Sequence, residues 1–276
     1  MCFKYLILFA YLIICDAIPS QLDDHFYHVD TSKRIVGGSV ASEGSLPYIA
    51  ALRTGFLIRW LICGGSIITN RHVLTAAHCL DAVRRDRTFR LLRVVVGTNQ
   101  WNYGGQTYSV AKMITHERWN PSTVKNDIGF LITTTRMRLT DRVQLIALNF
   151  DYIGGNITSK VAGWGRTETG GTLSSLLLEL IVHTVDGENC SRAIDEHCDP
   201  SEQNIKYDSE VELCAFNSDL GGVCNGDSGS ALVRLDSSEQ IGVVSWGYAC
   251  ARGAPDMYVR LSAYKEWIRD VLLLNK

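Results

Sequence analysis

The chain has 276 residues, with 27 basic and 29 acidic side chains and a formal net charge of −2 at pH 7. Three of these basic groups and four of the acidic groups precede Ile35, which leaves 24 basic and 25 acidic groups in the remaining 242 residues. This balance argues against a nucleic-acid partner and against an anionic-membrane partner, while the length is sufficient for a sizeable core.

The first 17 residues have the features of a secretory signal peptide. Lys4 precedes an apolar run at residues 5–14 that is too short to cross a bilayer comfortably, and Ala17 provides a small residue at a cleavage point. A single-pass anchor is the alternative for this run. No later segment reaches about 18 uninterrupted apolar residues. We therefore expect a secreted, extracellular chain that has no membrane partner once the signal is removed.

Residues 18–34 form a short polar segment that is typical of a flexible propeptide. They contain two adjacent aspartates, Asp23 and Asp24, and two histidines, but no apolar pattern punctuated by glycine. Two of the nine cysteines lie in the signal peptide, so seven remain after its removal. This cysteine content agrees with an oxidising compartment.

Beyond Ile35 the chain is expected to be mostly β-structure. Short runs rich in Val, Ile and Leu, bounded by turn residues, predict strands within residues 66–74, 91–96 and 231–235. Residues 263–274 differ, because their apolar side chains recur at helical spacing and predict a C-terminal amphipathic helix. The pattern predicts an all-β fold with one terminal helix.

The chain contains two glycosylation sequons, at Asn156 and Asn189. Asn156 is the better candidate, because Gly154 and Gly155 before it indicate an exposed turn. Asn189 is a weaker candidate, since a cysteine occupies the middle position of its sequon.

Three residues far apart in the chain could form a catalytic site. Ser228 lies within a Gly-Asp-Ser-Gly segment, His78 in a Thr-Ala-Ala-His-Cys segment, and Asp127 between them in the chain. A serine hydroxyl is a weak nucleophile at neutral pH and needs an adjacent base, for which His78 is the candidate. Taken singly, each segment has a structural alternative, because glycines suit tight turns and most histidines have no catalytic role.

Four further segments occur in a fixed order with these three: Arg34-Ile35-Val36-Gly37-Gly38, Cys63-Gly64-Gly65-Ser66, Gly163-Trp164-Gly165 and Ser245-Trp246-Gly247. Together they resemble the motifs of trypsin-like, chymotrypsin-fold serine proteases, in which the catalytic order is also His, Asp, Ser. The resemblance spans about residues 35–276. It implies two six-stranded antiparallel β-barrels with the active site between them and the changeover near residues 139–149.

The resemblance assigns a role to each catalytic residue. Ser228 attacks the scissile carbonyl, His78 takes and returns the proton, and Asp127 orients His78. The backbone amides of Gly226 and Ser228 form the oxyanion hole. No cofactor is implied, and calcium dependence is not expected because residues 91–116 contain no Asp or Glu.

The resemblance also implies a zymogen that is activated by cleavage after Arg34. The new ammonium group of Ile35 then pairs with Asp227, which orders the oxyanion hole. Because the pocket differs from that of a trypsin, we expect another, trypsin-like protease to make this cut. The further partners expected are protein or peptide substrates and protein inhibitors, and the enzyme is expected to be a monomer.

Substrate preference is less determined than the reaction. Gly222, followed by Val223, stands where trypsins carry an aspartate, and the wall segment Ser245-Trp246-Gly247 is open to large side chains. The pocket is closest to those of chymotrypsin-like arthropod members, so large apolar or aromatic residues are favoured. Asp256 replaces a usual glycine, and mixed apolar and basic specificity is therefore the alternative.

The disulfide pairing rests on the resemblance, which implies Cys63 with Cys79, Cys190 with Cys214, and Cys224 with Cys250. This leaves Cys198 as a free thiol, a competing partner or a link to another chain. Ser230 and Ala231 depart from the family's usual Gly-Pro, a change that we expect to be tolerated.

A non-catalytic protease homologue that acts as a binding protein is the rival reading. The complete triad argues against it. Digestive use is mildly favoured over one dedicated target, although the enlarged segment 190–214 could contact a particular partner.

Overall fold

The computed structural model describes residues 36–197, 205–217, 221–248, 250 and 253–275. The predicted signal peptide, the propeptide with Arg34, Ile35 and Cys198 lie outside the described residues. Within the described part of the chain, no helix is long and apolar enough to cross a membrane.

The first barrel is closed by six antiparallel strands in the order β2-β3-β4-β7-β6-β5. After the short β1 (Ser39–Val40), these strands are β2 (Ile49–Thr54), β3 (Trp60–Ile67), β4 (His72–Thr75), β5 (Arg93–Val96), β6 (Gln106–Thr115) and β7 (Gly129–Thr133). Its interior is filled by aliphatic side chains from all six strands and by Phe130 of β7, which is fully buried.

The second barrel also contains six antiparallel strands, and β8 closes it by pairing with both β9 and β11. The strands are β8 (Thr158–Gly163), β9 (Leu178–Val185), β10 (Glu212–Phe216), β11 (Ala231–Arg234), β12 (Gln240–Gly247) and β13 (Asp256–Arg260). Residues 134–157 connect the barrels and include the segment predicted for the changeover. The predicted fold class is confirmed.

Strand β9 shows how the sequence specifies a barrel wall. Leu178, Leu180 and Val182 point into the core, while the alternate residues Ile181 and His183 are exposed. Successive side chains of a strand point to opposite faces, so this alternation puts one apolar face inside the barrel.

The C-terminal helix is confirmed as α3 (Lys265–Leu274), which follows a 3₁₀ turn at Leu261–Tyr264. Its buried residues Ile268 and Val271 pack in the cluster that fills the first barrel. Two helices were not predicted, α1 (Ala77–Arg85) and α2 (Gly187–His197). Each spans about three turns or fewer, which is too short for helical periodicity to stand out in the sequence.

The apolar run at residues 66–74 is not one strand but the end of β3, a turn and β4. The amides of Arg71 and His72 donate to Thr69 Oγ1, and the amides of Ile68 and Thr69 donate to the His72 carbonyl. A threonine hydroxyl that accepts from the backbone stabilises such a turn and interrupts the strand.

Candidate active site

His78 and Asp127 both come from the first barrel. His78 lies in the first turn of α1, and Asp127 lies just before β7. His78 Nδ1 is 2.7 Å from Asp127 Oδ2, and the His78 amide donates to Asp127 Oδ1 at 2.8 Å. An ionised carboxylate only accepts hydrogen bonds, so Asp127 holds the His78 tautomer with a proton on Nδ1. Nε2 is then free to act as a base.

The carboxylate of Asp127 has a further partner from the second barrel. Ser245 Oγ donates to Asp127 Oδ2 at 2.6 Å. The sequence placed Ser245 on the pocket wall but gave no sign of this contact, because 118 residues separate the two. Asp127 is 1% exposed, so these donors replace its water.

Burial lowers the pKa of His78, but the charge of Asp127 and its hydrogen bond outweigh burial and raise the pKa above its usual value. The imidazolium that forms when His78 takes a proton is therefore stabilised. This is the electrostatic property that a general base paired with a serine requires.

Ser228 lies in the loop before β11, at the mouth of a pocket in the second barrel. Its carbonyl accepts from the Gly64 amide at 2.8 Å, which fixes the loop against β3 of the first barrel. Among the described residues no hydrogen bond joins Ser228 Oγ to His78, and His78 Nε2 lies 3.6 Å from Cys79 Sγ. Catalytic hydrogen bonds are often long in unliganded sites and shorten when substrate binds.

Gly226 has a φ of +108°, a backbone conformation that favours glycine. A Cβ at this position would lie 2.7 Å from Leu173 Cδ2 and 3.1 Å from Gly165 Cα. The residue predicted to supply an oxyanion amide is thus held where a larger side chain would be strained.

Asp227 is completely buried, next to Ser228 in the chain. Its Oδ1 accepts from the Gly165 amide at 2.7 Å and its Oδ2 from the Cys224 amide at 3.0 Å. Burial raises the pKa of Asp227 to about 6 against the opposing effect of these two donors. In the part of the chain that is described, no Lys, Arg or His forms an ion pair with Asp227. A cation beside this carboxyl group would favour its ionised form.

Val36, the first described residue, contacts this loop. The Val36 carbonyl accepts from the Gly222 amide at 3.1 Å. Gly222 was predicted to form the pocket floor, but it is not among the residues that line the pocket. Its backbone instead connects the residue after Ile35 to the loop that carries Asp227.

The pocket has a volume of about 130 Å³ and brings together most of the predicted specificity residues. Its lining includes Val223, Ser228, Ser245, Trp246, Gly247 and Asp256. Most of these side chains are apolar or small, so a side chain of the residue before the scissile bond could enter next to Ser228.

Asp256 is the one acidic residue of this lining. It is 5% exposed, and its Oδ2 accepts from the Val223 amide at 2.9 Å. Burial, together with the charge of Asp227, raises the pKa of Asp256 to about 7 despite that hydrogen bond. A Cβ on Gly247 would lie 2.8 Å from Asp256 Oδ1, so the carboxyl group faces the pocket wall.

Three disulfides stabilise the site, and they join the pairs that the resemblance implied: Cys63–Cys79, Cys190–Cys214 and Cys224–Cys250. Cys63, Cys79 and His78 place their sulfur and nitrogen atoms within 4.8 Å of one another. Both sulfurs belong to a disulfide, however, so they offer no thiolate to a metal.

The two sequons differ in their surroundings. Asn156 is exposed and adopts a φ of +63° in a turn before β8. Asn189 lies in α2, where its side-chain amide donates to Asp186 Oδ2 at 2.5 Å. Asn156 therefore remains the better candidate for glycosylation.

A family model described as Trypsin matches residues 35–268. The chain is 32% identical to Trypsin alpha-4 of Lucilia cuprina over an alignment of 240 residues. The alignment covers 85% of this chain and 86% of that protein. The chain is 33% identical over 262 residues to Trypsin epsilon of Drosophila erecta, and this alignment covers 92% of this chain and 90% of that protein. Residues 35–268 include every site residue described above.

Proposed function

The chain belongs to the trypsin family of serine endopeptidases, and from that premise we propose that it is secreted as a zymogen, cleaved after Arg34, and attacks peptide bonds with Ser228. The observation that carries the assignment is the buried Asp127, which binds both the amide and Nδ1 of His78. Activity resides in residues 35–276, after removal of the signal peptide 1–17 and the propeptide 18–34.

In the proposed reaction, Ser228 Oγ attacks the scissile carbonyl while His78 Nε2 accepts its proton. The carbonyl oxygen becomes an oxyanion that the amides of Gly226 and Ser228 stabilise, a contribution of about 3 kcal/mol per donor. When the C–N bond breaks, His78 returns the proton to the leaving amine and an acyl-enzyme remains. Water, deprotonated by His78, then releases the acyl group and regenerates Ser228.

Activation would use the buried carboxyl group of Asp227. The new ammonium of Ile35 would pair with it, a step supported by the complete burial of Asp227 and by the contact of Val36 with Gly222. A charged partner favours the ionised form of Asp227 and so offsets the cost of its burial. The amides of Gly226 and Ser228 on either side of Asp227 would then be held for catalysis.

We assign the pocket a preference for large apolar or aromatic side chains. The support is a lining of Val223, Val244 and Trp246, together with an Asp256 whose pKa of about 7 leaves much of it uncharged in neutral solution. Mixed apolar and basic specificity is the second candidate. It is favoured by the ionised form of Asp256 and by relatives that are named trypsins.

The test is to express the full chain, cut it with trypsin, verify Ile35 as the new N-terminus and measure hydrolysis of phenylalanine, leucine and lysine anilides. After the trypsin has been removed, the cut protein should hydrolyse at least the first two, and the Ser228→Ala variant treated in the same way should be inactive. A correctly cut but inactive wild type would favour a non-catalytic binding protein instead.

A further inference from the structure

The hairpin between β2 and β3 ends in an exposed apolar surface, which we call the hairpin tip (residues 55–60). Phe56 is 81% exposed, Leu57 90%, Ile58 66% and Trp60 56%. Single exposed apolar residues are ordinary, but four large ones together mark an interaction surface. None of them takes part in the catalytic site described above.

The hairpin tip has a defined conformation. Gly55 adopts a φ of +93°, and a Cβ there would collide with the Ile58 carbonyl, so the turn requires glycine. Arg59 Nη1 donates to the Asn102 carbonyl at 2.6 Å, which joins the tip to the neighbouring turn. Its apolar side chains are thus presented outward on a held turn.

Three arginines lie in or near the hairpin tip, and the sequence segments that contain them have no acidic residue. Arg53 and Arg93 lie directly opposite each other on β2 and β5. Burial lowers the pKa of Arg53, and the charges of Arg59 and Arg93 lower it further. Residues 44–80 and 87–116 contain no Asp or Glu. Like charges in direct opposition are destabilising unless an anion offsets them.

Arg53 also has hydrogen-bonding capacity that the described residues do not use. It is 8% exposed, and its Nη2 donates to Thr107 Oγ1 at 3.3 Å. Its Nη1 is buried and has no hydrogen-bond partner among the described residues. A buried guanidinium donor without a partner is costly, and a carboxylate is the acceptor that best matches its geometry.

Strand β3 connects the hairpin tip to the cleft near Ser228 and His78. Strand β3 (Trp60–Ile67) contains Gly64, whose amide donates to the Ser228 carbonyl, and Cys63, which is bonded to Cys79 beside His78. The specificity pocket lies in the second barrel, so the acyl part of a substrate extends there. The leaving part must pass His78 and the disulfide towards β3. Seven residues separate Leu57 from Gly64, about 20 Å at the rise of a strand.

The geometry points to an exosite at the hairpin tip, which binds an acidic and apolar segment of a protein substrate on the leaving-group side of the scissile bond. This inference rests on the proposed function. The apolar side chains of the segment cover Phe56, Leu57 and Trp60, and its carboxylates pair with the arginines. A second copy of this chain fits less well, since two such cationic tips repel each other. The near-neutral net charge of the whole chain hides this local asymmetry.

The test compares three substrates that share one acyl part. The first is a short anilide, and the other two are peptides with about twelve residues after the scissile bond, long enough to span ~20 Å. One peptide carries Asp, Glu, Phe and Leu in the distal half, and the other carries Ser and Gly there. For the enzyme cut after Arg34, kcat/KM is measured for release of the shared acyl fragment, so that cleavage at the distal Phe or Leu is not counted, and we expect it to favour the acidic-apolar peptide by on the order of tenfold.

Leu57→Ser and Arg59→Gln should bring this ratio close to one and leave hydrolysis of the anilide unchanged. Leu274→Ser and Arg269→Gln are the matched controls, because Leu274 is 83% exposed and Arg269 is also exposed, both on α3. These controls should keep the ratio of the wild type.

A ratio of one in the wild type would overturn the exosite, as would an equal loss in the controls. Binding of the tip to phosphatidylserine vesicles without discrimination between the peptides would assign the surface to a membrane instead. Failure of the anilide reaction itself would contradict the proposed function, whereas an active enzyme without peptide preference would contradict the exosite alone.

Discussion

Lys125 Nζ and Glu212 Oε2 lie 2.5 Å apart and connect the first barrel to the second. Lys125 precedes Asp127, the proposed partner of His78 in catalysis, by two residues, and Glu212 begins β10. Glu212 Oε1 accepts from Trp246 Nε1 at 2.7 Å, so one carboxylate holds both the loop of Asp127 and a wall of the pocket. Burial raises the pKa of Glu212 although both hydrogen bonds oppose this effect.

We predict unequal effects for the two halves of this pair. Lys125→Met leaves the carboxylate of Glu212, whose side chain is 4% exposed, without its cation, and should lower the free energy of unfolding by about 3 kcal/mol at pH 8. Glu212→Gln leaves Lys125, which reaches solvent, and should cost about 1 kcal/mol. Urea unfolding measures both values.

Burial raises the pKa of Glu212, and protonation removes its uncompensated charge, so the cost of Lys125→Met should shrink as the pH falls. The control is Lys160→Met. Lys160 and its partner Glu179 are each 22% exposed, and they pair within the second barrel at 3.0 Å. It should cost less than about 1 kcal/mol. Equal costs for Lys125→Met and Lys160→Met would show that the contact between the barrels has no special role.

Asp127→Asn should reduce kcat by about 10⁴-fold, because an amide no longer selects the His78 tautomer with a proton on Nδ1. In the wild type, the raised pKa of His78 means that kcat/KM falls with decreasing pH at a midpoint above 6.5, since the base must be neutral. A pH profile of anilide hydrolysis measures this midpoint. A midpoint below 6.5 would contradict the assigned role of the Asp127 charge.

Asp227→Asn should give a protein that is cut normally after Arg34 but is nearly inactive. The uncharged amide cannot pair with the Ile35 ammonium, and loss of one partner of a buried pair costs about 3–5 kcal/mol, or roughly 10²–10⁴-fold in activity. N-terminal sequencing and anilide kinetics together provide the measurement. Asp236→Asn, at an exposed pair with Arg234, is the control and should remain active. Normal activity of the Asp227 variant would exclude the switch.

Asp256 should make specificity depend on pH. Its pKa of about 7 means that the carboxyl group is neutral below and charged above this value, so the ratio of lysine to phenylalanine cleavage should rise as the pH increases through 7. Pairing of Asp227 with Ile35 would reduce the repulsion between the two carboxylates and shift this midpoint downward. Taking the ratio cancels the titration of His78, which affects both substrates alike.

Asp256→Asn should remove the pH dependence of this ratio and lower lysine cleavage about tenfold or more. Asn has nearly the same size as Asp, so phenylalanine cleavage should change little. A flat ratio in the wild type, or an unchanged ratio in the variant, would show that Asp256 shapes the pocket without selecting charge.

Local patterns in the sequence were sufficient for several features. Alternating apolar residues, as in β9, determine which face of a strand is buried, and helical spacing identified α3. The segments around His78, Asp127 and Ser228 indicated the reaction only together with the four further segments, whose order matches the family. The disulfide pairs required the family resemblance, since cysteine spacing alone leaves the pairing open.

Only the tertiary structure brought Ser245 to Asp127, 118 residues away, and Glu212 to Lys125, 87 residues away. It also placed the Asp256 carboxyl group against the Val223 amide and brought Arg53 and Arg93 opposite each other near Arg59 of the hairpin tip. The physical reason is that sequence periodicity governs the backbone of each strand and helix locally. Contacts between distant side chains depend on the closure and register of both barrels, which arise only when the whole chain folds.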